Sequence, residues 1–315
     1  MDILVGTDYL EDLFQSLMDA MPDHKIRRCA EAEVPNEIAG ANVYIPARGP
    51  ISAADMDRAP DLKLIQQFGV GVDMVDIPAA KQRGIAVANA PGEVTGIGDM
   101  VAEWALFHLI AAGRYLTTQL RLVQEKSGAI PGGVTLFDKT VGIVGMGNVG
   151  RALAEMLKPF RCTIIGVKQT VSEDLRREFG VDRLVGPEGL LEILPDCDFL
   201  VLAVPLNDTT QGLLGRNAID ALKPGAFVVN ICRGAVIDKE PFVAALKSGK
   251  IGGAGLDVFW VEPPDPKDEF FSYPVVATPH SASMTDLFLK NTAAVVADNV
   301  ARVGRDDEIL YRMDG

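Results

Sequence analysis

The segment running from Val141 through Gly145-Met146-Gly147-Asn148-Val149-Gly150 to Leu157 constrains the fold more than any other part of the chain. Val141-Gly142-Ile143-Val144 is a short apolar run of strand character. A Gly-x-Gly-x-x-Gly turn follows without a spacer, and Arg151-Ala152-Leu153-Ala154-Glu155-Met156-Leu157 continues with helical spacing. A strand, a glycine turn and a helix in that order form the opening unit of a parallel sheet. Gly145 supplies the tight turn. Gly147, without a side chain, lets a pyrophosphate come close to the backbone, and Gly150 lets the helix pack on the strand. Asn148 and Val149 open the helix, whose N-terminus presents amides and a partial positive charge to phosphates. Glycine turns also serve packing alone, so the strand–turn–helix context carries this reading.

The rest of the chain repeats the alternation. Ile3–Val5, Val43–Ile45, Leu64–Ile65 and Ile85–Val87 read as strands, with helical spacing at Leu10–Met21 and Ala53–Asp57 between them. Val101, Ala105, Leu109 and Ala112 share one side of a long helix predicted from Asp99 to Lys126, and Pro131-Gly132-Gly133 ends that region. A second series follows: VGIVG, TIIGV, FLVLAV, FVVNI, GGAGLDV and PVVATP, with a last helix from Thr285 to Val303. Short buried strands alternating with helices mean parallel sheets covered on both faces. The pattern predicts two α/β units with the long helix as the bridge between them. The length of 315 residues accommodates both.

Composition narrows the partners. Lys and Arg number 30 against 43 Asp and Glu, a formal charge of -13. So acidic a chain repels phosphate backbones and anionic lipid heads, so neither nucleic acid nor a membrane surface is an expected partner. A small anion needs only a local basic pocket and stays possible. Cys29, Cys162, Cys197 and Cys232 are scattered without a Cys-x-x-Cys pair. They form neither a disulfide framework nor a zinc site, no metal is expected, and they fit a reducing cytoplasm. The first residues have no basic region or long apolar run, and no stretch is long and apolar enough to span a bilayer.

Two groups of residues carry the chemistry. After the strand Thr163–Val167 an acid usually accepts hydrogen bonds from the adenosine ribose, and here Lys168 stands in that place. A lysine suits a 2′-phosphate, which predicts NADP preference with NAD possible; a solvated surface lysine is the alternative. The second group sits at strand ends. Of the three histidines, His24 lies in a charged stretch and His108 among apolar helix residues, whereas His280 ends the strand run Val276-Ala277-Thr278-Pro279. Arg233 follows the strand ending Asn230-Ile231-Cys232, and Glu262 follows Asp257-Val258-Phe259-Trp260-Val261. Ligands of open α/β sheets bind at such carboxyl ends. A guanidinium binds and polarises a carboxylate and a carbonyl, an imidazole passes a proton, and an adjacent carboxylate favours the charged imidazole. That set suits hydride transfer between a nicotinamide and a 2-oxo or 2-hydroxy acid.

In this order after a mid-chain glycine motif, the three residues resemble the D-2-hydroxyacid dehydrogenase family. Val70-Gly71-Val72-Asp73-Met74-Val75-Asp76 and Gly84 to Gly92 are similar to its substrate-loop region, Val101-Ala102-Glu103 to the start of its interdomain helix, and Val204-Pro205-Leu206 with Thr210 to its cofactor-side loop. The resemblance covers nearly the whole chain, and it implies two doubly wound α/β domains: a flavodoxin-like substrate domain of residues 1–98 and 286–315, and a Rossmann cofactor domain of residues 99–285 inserted into it. It implies that Arg233 binds substrate, His280 is the acid/base and Glu262 its partner. It also implies that Asp257 holds the nicotinamide carboxamide, that amides around Val70, Gly71 and Val72 hold the substrate carboxylate, that the active-site cleft lies between the domains, and that the chain forms a homodimer. Three features depart from the usual pattern: Lys168, Ser281 after the histidine, and a longer-looking Glu93–Met100 segment.

The resemblance makes the chain an enzyme that interconverts a 2-oxo acid such as glyoxylate or hydroxypyruvate and a D-2-hydroxy acid. Glu262 counts against formate as substrate, because formate-oxidising members lack it. The absence of a regulatory domain after the last helix argues against the larger phosphoglycerate dehydrogenases. Two alternatives share the fold and a similar residue set: a phosphite-type dehydrogenase and a non-catalytic dinucleotide-sensing binding protein. Arg48 can meet a second anionic group of the substrate or be a solvated loop residue, and Trp260 can be a pocket wall or simple packing.

Overall fold

The computed structural model describes residues 1–46 and 49–314. The chain divides into two compact units, Met1–Gly96 with Met284–Gly315, and Ile97–Ser283. Each is built on one parallel sheet, as the alternating pattern predicts.

The discontinuous unit holds β1 (Asp2–Gly6), β2 (Lys25–Arg28), β3 (Val43–Pro46), β4 (Leu64–Gln66) and β5 (Ala86–Ala88) in the order β2-β1-β3-β4-β5, the flavodoxin-like arrangement. Successive side chains alternate between faces. Leu4, Tyr44, Ile65 and Val87 pack on one side with Ile38, Met56 and Ala80. Ile3, Val5, Val43, Ile45 and Leu64 pack on the other with Leu13 and Leu17 of the helix Glu11–Ala20 and Val296 and Val300 of the helix Asp286–Arg305. The edge strand β2 escapes a hydrophobic reading because its sequence is Lys-Ile-Arg-Arg. Two of its three cations bond the carboxylate of Asp2 instead, at 2.7 Å from Lys25 and 2.6 Å from Arg27.

The continuous unit holds β6 (Thr140–Val144), β7 (Thr163–Val167), β8 (Arg183–Val185), β9 (Phe199–Leu202), β10 (Ala226–Asn230), β11 (Ile251–Leu256) and β12 (Val275–Ala277). Their order is β12-β11-β10-β9-β6-β7-β8, with every pairing parallel. The order reverses between β6 and β9, and a ligand of such a sheet sits in the crevice beyond those strand ends. Val141, Ile143 and Val201 face Ala102, Ala105 and Leu109 of the helix Ile97–Gly113 and Leu153 and Leu157 of the helix Asn148–Leu157. Val144, Leu200 and Val228 face Phe242 and Leu246 of the helix Lys239–Ser248 on the opposite side.

The long helix differs from its prediction. It ends at Gly113, and a second helix runs from Leu116 to Gln124. Two contacts cause the break. The returning loop crosses the helix end, with the Val134 amide 2.7 Å from the Gly113 carbonyl, and a side chain at Gly113 would strike the Val134 carbonyl. Tyr115 then takes a left-handed backbone, φ +52°, and packs its ring on Phe227. The Glu93–Met100 segment also breaks: Gly92–Thr95 is a short helix, Gly96 turns at φ +73°, and the long helix begins at Ile97.

Candidate active site

The glycine turn lies at the β6–β9 switch point. Gly145 has φ +107°, and a side chain there would overlap the Ala203 carbonyl that closes β9. Its amide bonds the Val167 carbonyl at 3.0 Å, so the turn also leans on β7. A side chain at Gly150 would overlap the Gly145 carbonyl, so the helix can approach the turn only with glycine there. Gly147 faces the opposite situation: a side chain there would meet nothing within 4 Å. Bare backbone therefore meets open space just before the helix that starts at Asn148, where the first helical amides lack partners within the helix. This arrangement fits a dinucleotide pyrophosphate. Val149 packs into the core beneath it.

Lys168 follows β7 and bends back toward this turn. Its amine donates to the Met146 carbonyl at 3.2 Å and lies 5.6 Å from the centre of the Phe179 ring. Arg151 stacks on the same ring at 5.3 Å and pairs with Glu178 at 3.3 Å. Pro205 and Thr210 belong to the loop after β9, and Thr210 fastens it. Its hydroxyl donates to the Pro205 carbonyl at 2.6 Å and accepts from the Asn207 amide at 2.9 Å.

The catalytic candidates leave three neighbouring strands, β10, β11 and β12. Arg233 follows β10, and its guanidinium donates to the Cys232 carbonyl at 2.8 Å, while the Asn230 side-chain amide donates to the Arg233 carbonyl at 2.9 Å. Glu262 follows β11. One carboxylate oxygen accepts from the Phe259 amide at 3.0 Å, and the other lies 2.7 Å from Nδ1 of His280. The sequence pairing of Glu262 with His280 thus has a direct hydrogen bond behind it. Both side chains are only partly exposed, 20% for Glu262 and 33% for His280. The backbone of His280 is left-handed, φ +56°.

Asp257, which the family resemblance assigns to the nicotinamide carboxamide, stands just past β11. The residue is fully buried. One oxygen accepts from the Ser281 amide at 3.0 Å, from Trp104 Nε1 at 3.2 Å and from the Thr278 hydroxyl at 2.6 Å; the other accepts from the Ala282 amide at 3.0 Å. The geometry makes it an anchor for the loop around His280. Sequence reasoning missed Trp104, His108 and Thr278 in this cluster, because the signal is spread over two segments far apart in the chain. Burial drives the His108 pKa down to about 4, against the pull of Asp257, so this imidazole is neutral. Trp260 donates its Nε1 to the Ile237 carbonyl at 2.6 Å, and its ring lies against Phe242 and Phe270.

Val70, Gly71 and Val72 lie in the other unit, in the loop between β4 and the helix Ile77–Gln82. Asn89 tethers that loop through the Val70 carbonyl at 2.8 Å, and the Val75 amide through Val72 at 3.0 Å. Arg48 lies outside the described residues. Among the described residues no cluster of three or more His, Cys, Asp and Glu side chains could hold a metal ion, and no helix is long and apolar enough to cross a membrane.

Comparison with known proteins agrees with this geometry. Residues 106–282 match the family described as D-isomer specific 2-hydroxyacid dehydrogenase, NAD binding domain. A glyoxylate reductase of Korarchaeum cryptofilum is 35% identical over 265 residues, covering 82% of this chain and 78% of that protein. A glyoxylate reductase of Pyrococcus horikoshii is 33% identical over 318 residues, covering 96% and 90%. Among solved structures, an NADPH-dependent glyoxylate/hydroxypyruvate reductase of Sinorhizobium meliloti, in complex with NADP and malonate, superposes with a TM-score of 0.83 at 28% identity, over 99% of this chain and 96% of that one. With its Rossmann turn, its Glu262–His280 pair and these relatives, the chain is an NAD(P)-dependent oxidoreductase of the D-isomer specific 2-hydroxyacid dehydrogenase family.

Proposed function

We propose that the chain reduces a small 2-oxo acid to the corresponding 2-hydroxy acid, with glyoxylate (to glycolate) and hydroxypyruvate (to D-glycerate) the first candidates, and that it prefers NADPH to NADH. The bound dinucleotide supplies the hydride. The single observation that carries the reading is the 2.7 Å bond from His280 Nδ1 to Glu262. A carboxylate can only accept, so Nδ1 keeps a proton and Nε2 is the nitrogen that exchanges one. His280 then gives its Nε2 proton to the carbonyl oxygen as the oxygen becomes an alcohol, and Glu262 steadies the cationic ring before the transfer. The Phe259 amide holds the far oxygen of Glu262, which fixes the carboxylate plane. Arg233 binds the substrate carboxylate and polarises the carbonyl, with the amides of Val70, Gly71 and Val72 as further donors to the carboxylate.

Gly145, Gly147 and Gly150 with Asn148 and Val149 would hold the pyrophosphate, with the loop carrying Pro205 and Thr210 on the same side. Lys168 supports the NADPH preference, because its amine turns toward the glycine turn and not into solvent. Exposed Phe107, Ile110, Leu120, Val123 and Ile130 support a homodimer. The test is turnover of a 2-oxo acid panel with NADPH and with NADH, by wild type and His280→Gln. Glyoxylate or hydroxypyruvate reduced with NADPH, and not by the variant, is the expected result. No turnover by wild type, or full turnover by His280→Gln, would overturn the reading.

A further inference from the structure

The loop of His280 is tied to the long helix through four groups, of which Asp257 and His108 are fully buried. Asp257, at the end of β11, takes the amides of Ser281 and Ala282, each at 3.0 Å. Thr278 donates its hydroxyl to Asp257 at 2.6 Å. A hydroxyl has one proton, and a carboxylate can only accept it, so Thr278 must accept from its other neighbours. These are Trp104 Nε1 at 3.2 Å and His108 Nε2 at 2.9 Å. Trp104 also donates to Asp257 directly, at 3.2 Å. The His108 proton therefore sits on Nε2. Nδ1 is left buried against Gly255 without a hydrogen-bond partner, which a ring present only for packing would not require.

His280 sits between Thr278 and Ser281, the two residues this cluster pins. Its left-handed backbone, φ +56°, is uncommon for a residue with a side chain and persists only where the surroundings enforce it. The His280 amide bonds the Thr278 carbonyl at 2.9 Å, so the turn is set from the Thr278 side. Asp257 sets it from the other.

We infer that Trp104 and His108 are positioning residues for the acid/base: their two N–H groups hold the Thr278–Asp257 pair, and that pair holds the backbone that aims His280 at Glu262. The inference rests on the proton-transfer role given to His280 above. It asks for a donor at residue 108 and not merely for its volume.

The experiment compares His108→Leu, His108→Gln and Trp104→Phe in steady-state reduction of glyoxylate, or of the best acid in the panel, with dinucleotide Kd measured by fluorescence. Leucine removes the donor, glutamine restores an N–H at similar reach, and phenylalanine keeps the ring stacked on Phe107. The expected outcome is a kcat loss of roughly tenfold in His108→Leu, the factor a lost hydrogen bond of about 1.4 kcal/mol produces. KM for the oxo acid and dinucleotide Kd stay within about twofold, since the loss falls on the chemical step. His108→Gln recovers most of kcat. A wild-type kcat in His108→Leu, or a glutamine variant as slow as the leucine one, would overturn the inference. If His108→Leu does not fold, Trp104→Phe decides: a several-fold kcat loss at unchanged Kd supports the role, and an unchanged kcat refutes it. His280→Gln is run beside them. Should it be inactive while His108→Leu is wild type, only this inference fails; should it turn over normally, the acid/base reading itself fails.

Discussion

An imidazole has two nitrogens, and Glu262 decides which one does chemistry. With Nδ1 held at 2.7 Å by the carboxylate, only Nε2 can trade a proton with substrate. His280→Gln should therefore slow the chemical step by roughly 10²–10⁴ while leaving dinucleotide binding nearly intact, as single-turnover kinetics and a binding titration would show. Lys168 gives a second prediction. A charge-assisted hydrogen bond to a 2′-phosphate contributes about 1.5–3 kcal/mol, and exposure to solvent reduces it. Lys168→Asp should shift the kcat/KM ratio toward NADH by at least about one decade. A ratio that does not move would separate this amine from cofactor choice. These residues were legible in the sequence because each stands in the segment that follows an apolar strand. Asp257 was legible through the resemblance as a cofactor residue, but its bonds to the His280 loop were not. Its anchoring role depends on Trp104 and Thr278, which lie 153 positions before it and 21 after it. No local pattern encodes that meeting.

At the scale of elements, periodicity found the strands that are buried and lost those that are not. The apolar runs of β6, β7, β9 and β10 announce themselves, whereas β2 is written in cations because it lies at an edge. The break after Gly113 was hidden for another reason: its cause is the chain returning at Val134, not a residue that stops helices. The buried side of the long helix carries a consequence for pH. His108 takes up a proton only near about pH 4, well below the ordinary 6.5, because burial disfavours its charged form. Once unfolded, the imidazole binds a proton near 6.5. Between those values the unfolded chain holds more protons, so folded stability falls as pH drops through this window. The total for this one group is on the order of 3 kcal/mol. Urea unfolding at pH 7 and pH 5 should show wild type losing more stability than His108→Gln. Equal losses would mean that water reaches the ring.

Across the whole molecule, apolar surface remains on the continuous unit. Val123 is 76% exposed and Ile130 93%, with Phe107, Ile110 and Leu120 also exposed. The homodimer proposed above would bury these side chains. Sedimentation velocity at micromolar concentration should find a homodimer, and Leu120→Glu with Val123→Glu should release monomers. A wild-type monomer would refute the assignment. The charge balance was readable from composition alone, but which apolar residues stay uncovered was not, since periodicity cannot tell a face buried within a chain from one buried between copies.

The discontinuous unit also sets an order of events during synthesis. Residues 97–283 are one unbroken stretch, and all of them are synthesised before the helix Asp286–Arg305. The sheet of β1 to β5 is made earlier still, yet Val296 and Val300 cover part of one face, and Asn299 bonds the buried Gln66 at 2.7 Å. Domains tend to fold as they emerge, and uncovered apolar surface on a nascent chain is prone to misassociation. The portion translated first is thus the last to be finished, and for most of translation its half-clad sheet is the natural target for a chaperone.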